Sequence, residues 1–109
     1  YLAVSDIVRK VLLLIREKYA QDLSLGQIAD EYGVNPSYFS KKFKLITGMG
    51  FKEYLNYVRL KHAQTALLTT DSSITDIALE YGFNDSNYFK DLFKKVYGKS
   101  PREYRKNPD

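Results

Sequence analysis

Ser37, Ser40, Lys41 and Lys44 stand at i, i+3, i+4 and i+7, the spacing that places four side chains on one face of an α-helix. Fifty residues on, the same offsets hold Asn87, Lys90, Asp91 and Lys94. Short polar groups at one end of such a stripe and ammonium groups further along suit a nucleic-acid duplex, because hydroxyls and amides reach base edges while lysines meet phosphates. A merely solvated helix face has the same look, and a single stripe would be read that way. Two at matched offsets favour nucleic-acid contact. The charge balance agrees: 17 Lys and Arg against 13 Asp and Glu leave a net charge of +4, a mild footprint for a polyanionic partner.

Catalytic chemistry finds little footing. His62 is the single histidine, it sits among lysines and small residues, and no nucleophile or metal-ligand cluster accompanies it. The acids Asp30, Glu31, Asp76 and Glu80 are explained by solvated faces, and there is no glycine-rich phosphate loop. No enzyme activity, metal or cofactor is expected. The absence of cysteine excludes disulfides and thiolate metal sites, and fits a reducing cytoplasm. The longest apolar run, residues 11–15, is far too short for a membrane span or a signal core, so no membrane partner is expected.

The faces need helices to carry them. Apolar residues recur at spacings of three and four almost throughout, and no segment alternates convincingly with period two, so the chain reads as all-α. A first helix opens at Ser5 or Asp6, gathers Ile7, Val8, Val11, Leu12, Ile15 and Tyr19 on a broad apolar face, and ends near Ala20. Ser24, with Gln27 three residues on, opens a second that runs to Tyr32 and stops at Gly33. Asn35 before Pro36 is an N-cap with proline at the first helical position, which predicts a third helix over 36–47, ended by Gly48. A fourth covers 51–69. Ser73 and Asp76 open a fifth that ends before Gly82, a sixth covers 86–97, and SPRE from Ser100 opens a short seventh.

These elements repeat. IADEYGVNPSYFSKKFKLITG from Ile28 returns as IALEYGFNDSNYFKDLFKKVYG from Ile77, with one extra residue read as Asn87. Aligned on Phe39 and Phe89, Phe43 answers Phe93, Gly48 answers Gly98, and Glu53 with Tyr54 answers Glu103 with Tyr104. A short helix, a turn with glycine and a longer helix make a helix-turn-helix unit, although the same outline serves an αα-hairpin used only for packing. The i, i+4 pairing of Phe39 with Phe43 and Phe89 with Phe93 marks these rings as core rather than base-stacking groups, with Ile46 completing the first stripe.

In the fourth helix Phe51, Tyr54, Leu55 and Val58 share one face, and Leu60, Ala63 and Leu67 fall near the opposite one. Such a helix serves two modules in turn. The expected organisation is a first helix-turn-helix subdomain over residues 1–50, a linker helix over 51–70 and a second subdomain over 71–109. The linker's length, about 28 Å at 1.5 Å per residue, is near the spacing of about 34 Å between successive major-groove faces. One monomer would then read two adjacent turns.

Over about residues 6–105 the sequence resembles the C-terminal DNA-binding domain of the AraC/XylS family of bacterial transcription regulators. The resemblance rests on the two repeated stretches, on FKEYLNYVRLKHAQTALLTT between them, and on SPREYR. It implies a seven-helix domain with two helix-turn-helix subdomains joined by a long linker helix, binding promoter DNA in the major groove, most often as an activator that also meets RNA polymerase. The family's base-contacting positions fall on Ser37, Ser40 and Lys41 in the first reading helix and on Ser86, Asn87, Lys90 and Asp91 in the second. Its linker-helix arginine corresponds to Arg59, expected on phosphate. Asp91 departs from the commoner basic or neutral residue, and either accepts from a cytosine amino group or pairs with Lys94 or Lys95.

Members of the family carry a separate N-terminal domain that senses a sugar, receives a phosphoryl group or dimerises. Residues 1–4 read as the end of a linker to such a domain, and EKYAQDLSL is similar to what precedes this domain in response regulators. The competing class is a helical module that docks on another protein without reading DNA. Salt-dependent duplex binding separates the two.

Overall fold

The computed structural model describes residues 3–108. Among them are seven α-helices and no strand: α1 (Val4–Lys18), α2 (Leu25–Glu31), α3 (Pro36–Thr47), α4 (Phe51–Thr69), α5 (Ile74–Glu80), α6 (Ser86–Tyr97) and α7 (Pro101–Lys106). Of residues 1–4, Tyr1 and Leu2 lie outside the described residues, and Val4 already belongs to α1. The chain divides into two units within α4: the first ends at Val58 and the second begins at Arg59.

Local chemistry sets most helix ends. Asn35 accepts the amide of Tyr38 at 3.0 Å, and Ser73 accepts that of Asp76 at 3.0 Å. Ser100 and Glu103 close a reciprocal capping box. α1 is different. It starts at Val4, ahead of Ser5 and Asp6, on Ala3, which has no side chain able to cap; it also stops at Lys18, two residues short of the expected end. Burial of Ile7, Val8, Val11 and Ile15, rather than a capping signal, holds this helix.

Each unit has its own core. In the first, Ile7, Val8, Val11 and Ile15 of α1 and Ile28 of α2 enclose Phe39 and Phe43 of α3, with Phe51 and Leu55 from the start of α4. In the second, Leu60, Ala63, Ala66 and Leu67 from the rest of α4 meet Ile77 and Ala78 of α5, Phe83, Phe89 and Phe93, and Tyr104 of α7. The two faces read from the α4 sequence therefore serve two different cores. Ile46 does not join the first: it is 48% exposed. The stripe stops at Phe43, against which Phe51 and Tyr54 pack edge-on at 5.8 and 6.0 Å. Periodicity gives the rotation of a side chain about the helix, not how far the packed neighbours extend along it.

The repeat covers three helices. Tyr104 of α7 packs on Phe93 at 5.4 Å as Tyr54 of α4 packs on Phe43. The first turn of α4 is thus the counterpart of α7, and the linker is a module's third helix that continues. α7 is tied back to the end of α4: the Arg105 guanidinium donates to the carbonyls of Leu67 and Thr70 at 3.0 and 3.3 Å, and Gln64 Nε2 donates to the Tyr104 hydroxyl at 2.8 Å. Carbonyls at a helix end have no intrahelical partners, so the guanidinium stabilises the terminus of α4.

Candidate nucleic-acid interface

The turn of each unit sets the direction of the longer helix that follows it. α2 ends on Tyr32 with Gly33 in the left-handed region at φ 67°; the amide of Val34 returns to Ala29 O at 3.0 Å and that of Gly33 to Asp30 O at 3.1 Å. α5 ends identically, with Gly82 at φ 102°, Phe83 donating to Ala78 O and Gly82 to Leu79 O. Both are Schellman closures, which need a residue tolerating positive φ. From here the copies differ. Four residues, 32–35, separate α2 from α3, whereas five, 81–85, separate α5 from α6.

The extra residue therefore lies in the turn and not at Asn87. Asn35 caps α3, but in the second copy Asn84 is passed over and Asp85 becomes the cap, accepting the amides of Asn87 at 2.8 Å and Tyr88 at 3.3 Å. The identity of Asn35 with Asn84 hides this in the sequence. As a result Asn87 occupies the same helical position as Ser37, and Ser86 that of Pro36.

Buried rings set the rotation of each reading helix. Phe39, Phe43, Phe89 and Phe93 have no exposed surface. At about 100° per residue, Ser37, Ser40, Lys41 and Lys44 centre about 130° around α3 from the phenylalanines. All four are exposed. Asn87, Lys90, Asp91 and Lys94 form the corresponding exposed face of α6. Ser86, at the first position of α6, is half-buried. Arg59 does not join either face: it lies on α4 and is only 5% exposed.

Each face is cationic toward its C-terminal half, through Lys41 and Lys44 or Lys90 and Lys94, while Asp91 places a carboxylate in the second. Tyr38 and Tyr88, at matched positions one turn into α3 and α6, are 49% and 47% exposed, and the Lys42 ammonium lies 5.7 Å from the Tyr38 ring centre. Alternation of Tyr with a buried Phe is the only sequence signal for these rings. His62 is exposed on α4, and among the described residues no group of three His, Cys, Asp or Glu could hold a metal ion. No helix of the described residues is long and apolar enough to cross a membrane.

A family model described as a helix-turn-helix domain matches residues 28–107, which take in both turns and both exposed faces. The solved C-terminal domain of AraT, a response regulator from Geobacillus stearothermophilus, superposes with a TM-score of 0.87 at 35% identity, over 96% of this chain and 88% of that one. The chain belongs to the AraC-type helix-turn-helix family. The C-terminal domain of the two-component response regulator yesN from Fusobacterium nucleatum agrees, with a TM-score of 0.81 at 32% identity over 93% of this chain and 96% of that one.

Among curated relatives, an HTH-type transcriptional regulator of Escherichia coli, YijO, is 42% identical over 92 residues, which is 84% of this chain and 32% of YijO. Staphylococcus aureus regulators match at 39% identity over 92% of this chain, which is 13% of their length. The chain thus spans a third or less of the curated relatives it matches. Family membership makes it a DNA-binding domain of a transcription regulator and not an enzyme.

Proposed function

We propose that α3 and α6 each enter a major groove of double-stranded promoter DNA, with Ser37, Ser40 and Lys41 reading bases from the first and Asn87, Lys90 and Asp91 from the second. Lys44 and Lys94, nearer the helix ends, meet phosphate, and Ser86 sits at the rim. One observation carries this reading: the same exposed polar and cationic face recurs at matched positions on two helices, each fixed in rotation by a fully buried pair of phenylalanines. Packing alone gives no reason for Lys94 to answer Lys44, or for every position of both faces to stay polar. The phosphate contact expected of Arg59 is the member of the set that its burial supports least.

The parent protein is proposed to be a cytoplasmic regulator, an activator that meets RNA polymerase, with a sensor or receiver domain ahead of this one. The greater length of the curated relatives and the response-regulator origin of two similar domains support the further domain.

The test is enrichment of random duplexes by the purified chain, followed by affinity measurement against salt on the selected sequence. Two short blocks about ten base pairs apart are expected, with log affinity falling several-fold more steeply than log salt rises, through counterion release. Binding that ignores salt would instead leave the protein-docking module as the function.

A further inference from the structure

On α1, Arg9, Leu12, Leu13 and Arg16 stand at i, i+3, i+4 and i+7. With Tyr54 and Val58 of α4 they line an open groove of about 400 Å³ within the first unit. Its floor is apolar and its rim cationic. Leu13 is 52% exposed and Leu12 is half-buried, whereas Ile7, Val8, Val11 and Ile15 of the same helix are buried. Arg9 meets Asp6 at 3.5 Å in an i, i+3 pair, but its side chain stays largely exposed, so that bridge contributes little and exchanges readily. The two guanidinium-bearing positions are about 10 Å apart along the helix axis.

We propose that this groove seats an amphipathic helix of a partner protein, whose apolar side chains fill the space over Leu12, Leu13, Tyr54 and Val58 and whose carboxylates, two turns apart, meet Arg9 and Arg16. Charge complementarity selects the occupant. Guanidinium groups bind carboxylates bidentately, and an apolar strip between two such anchors matches one face of a helix. A phosphodiester backbone matches it poorly, because the exposed leucine and the valine offer phosphate nothing. None of the groove residues belongs to the polar faces of α3 and α6, so the proposal stands apart from DNA reading.

The probe is a blocked 14-residue synthetic helix with leucines on one face and two glutamates seven residues apart, titrated into the full chain while the Leu12, Leu13 and Val58 methyl resonances are followed. Saturable shifts of those methyls are expected, with affinity lowered about tenfold by Arg16→Glu and about fivefold by Leu13→Ala, while duplex affinity moves less than about twofold. Both variants are checked by circular dichroism, and both positions are exposed enough to leave the fold intact. The proposal is overturned if the methyls do not move at millimolar peptide, or if a lysine-for-glutamate peptide binds as well. It is equally overturned if Arg16→Glu weakens duplex and peptide alike, which makes the groove a nucleic-acid surface. Shifts on concentrating the protein alone would make the occupant a second copy.

Discussion

Asp85 Oδ1 accepts the backbone amide of Asn87 at 2.8 Å, so the cap of the second reading helix is bonded to the residue that leads its polar face. In the first copy the cap is the neutral Asn35. A carboxylate favours a helix N-terminus but repels an approaching phosphate. Asp85→Asn keeps an acceptor and removes the charge. Duplex affinity is expected to rise about threefold at low salt, with the gain fading as salt screens it. Asp85→Ala should instead cost about 1 kcal/mol of stability in urea denaturation.

The phenylalanine pairs set the rotation of both polar faces. Phe43→Ala and Phe93→Ala should each destabilise their own unit by about 3–5 kcal/mol, since each ring is fully buried among aromatic neighbours. Calorimetry checks the size of the loss. Because each unit has its own core, amide exchange should quicken mainly in the unit that carries the change.

The proposed reading divides the lysines of each face by role. Lys44→Ala and Lys94→Ala are expected to weaken all duplexes alike and to lower the slope of log affinity against log salt by about 1 each, as one phosphate contact is lost. Lys41→Ala should change preference at one base position at a cost of about 1–3 kcal/mol. Competition between point variants of the selected site measures both.

Arg59 is buried where a phosphate ligand would be expected to protrude. Removing a buried charged side chain leaves its neighbours without their partner, so Arg59→Ala should cost about 2–4 kcal/mol of stability. Urea denaturation gives that figure. Duplex affinity measured where the variant is fully folded then shows how much of any binding defect is direct.

Glu103 is held below its ordinary carboxylate range, first by the Ser100 side chain, then by the Ser100 amide and by Lys94 and Lys99. A carboxyl whose folded pKa is depressed contributes stability above its unfolded value, near 4.5, and loses it as pH falls through the folded value. Glu103→Gln removes that contribution. Thermal unfolding of the wild type should therefore drop more steeply than that of the variant on acidification below about pH 5, with the two curves converging at low pH.

Most helix ends were legible in the sequence because they depend on neighbours in the chain. Asn35 with Pro36, Ser100 with Glu103, and the left-handed Gly48 and Gly98 act within four residues. The i, i+4 phenylalanines likewise told which side of α3 and α6 is buried, and hence which is left to face a ligand. The two apolar faces of α4 announced that it serves two cores. α1 was the exception, since packing rather than a cap decides where it begins.

The amino-acid sequence by itself determined that this is an all-helical, duplicated domain whose two longer helices each turn a polar, lysine-bearing face away from buried rings; covalent order and helical period suffice for that. Tertiary structure alone decided that Ile46 is left exposed, that Arg59 is buried, that the extra residue of the second copy sits in the turn so that Asp85 does the capping, and that α1 and α4 leave a groove between Arg9 and Arg16. Those outcomes depend on how far neighbouring elements extend along a helix and which backbone amide finds which acceptor, distances that a periodic pattern does not contain.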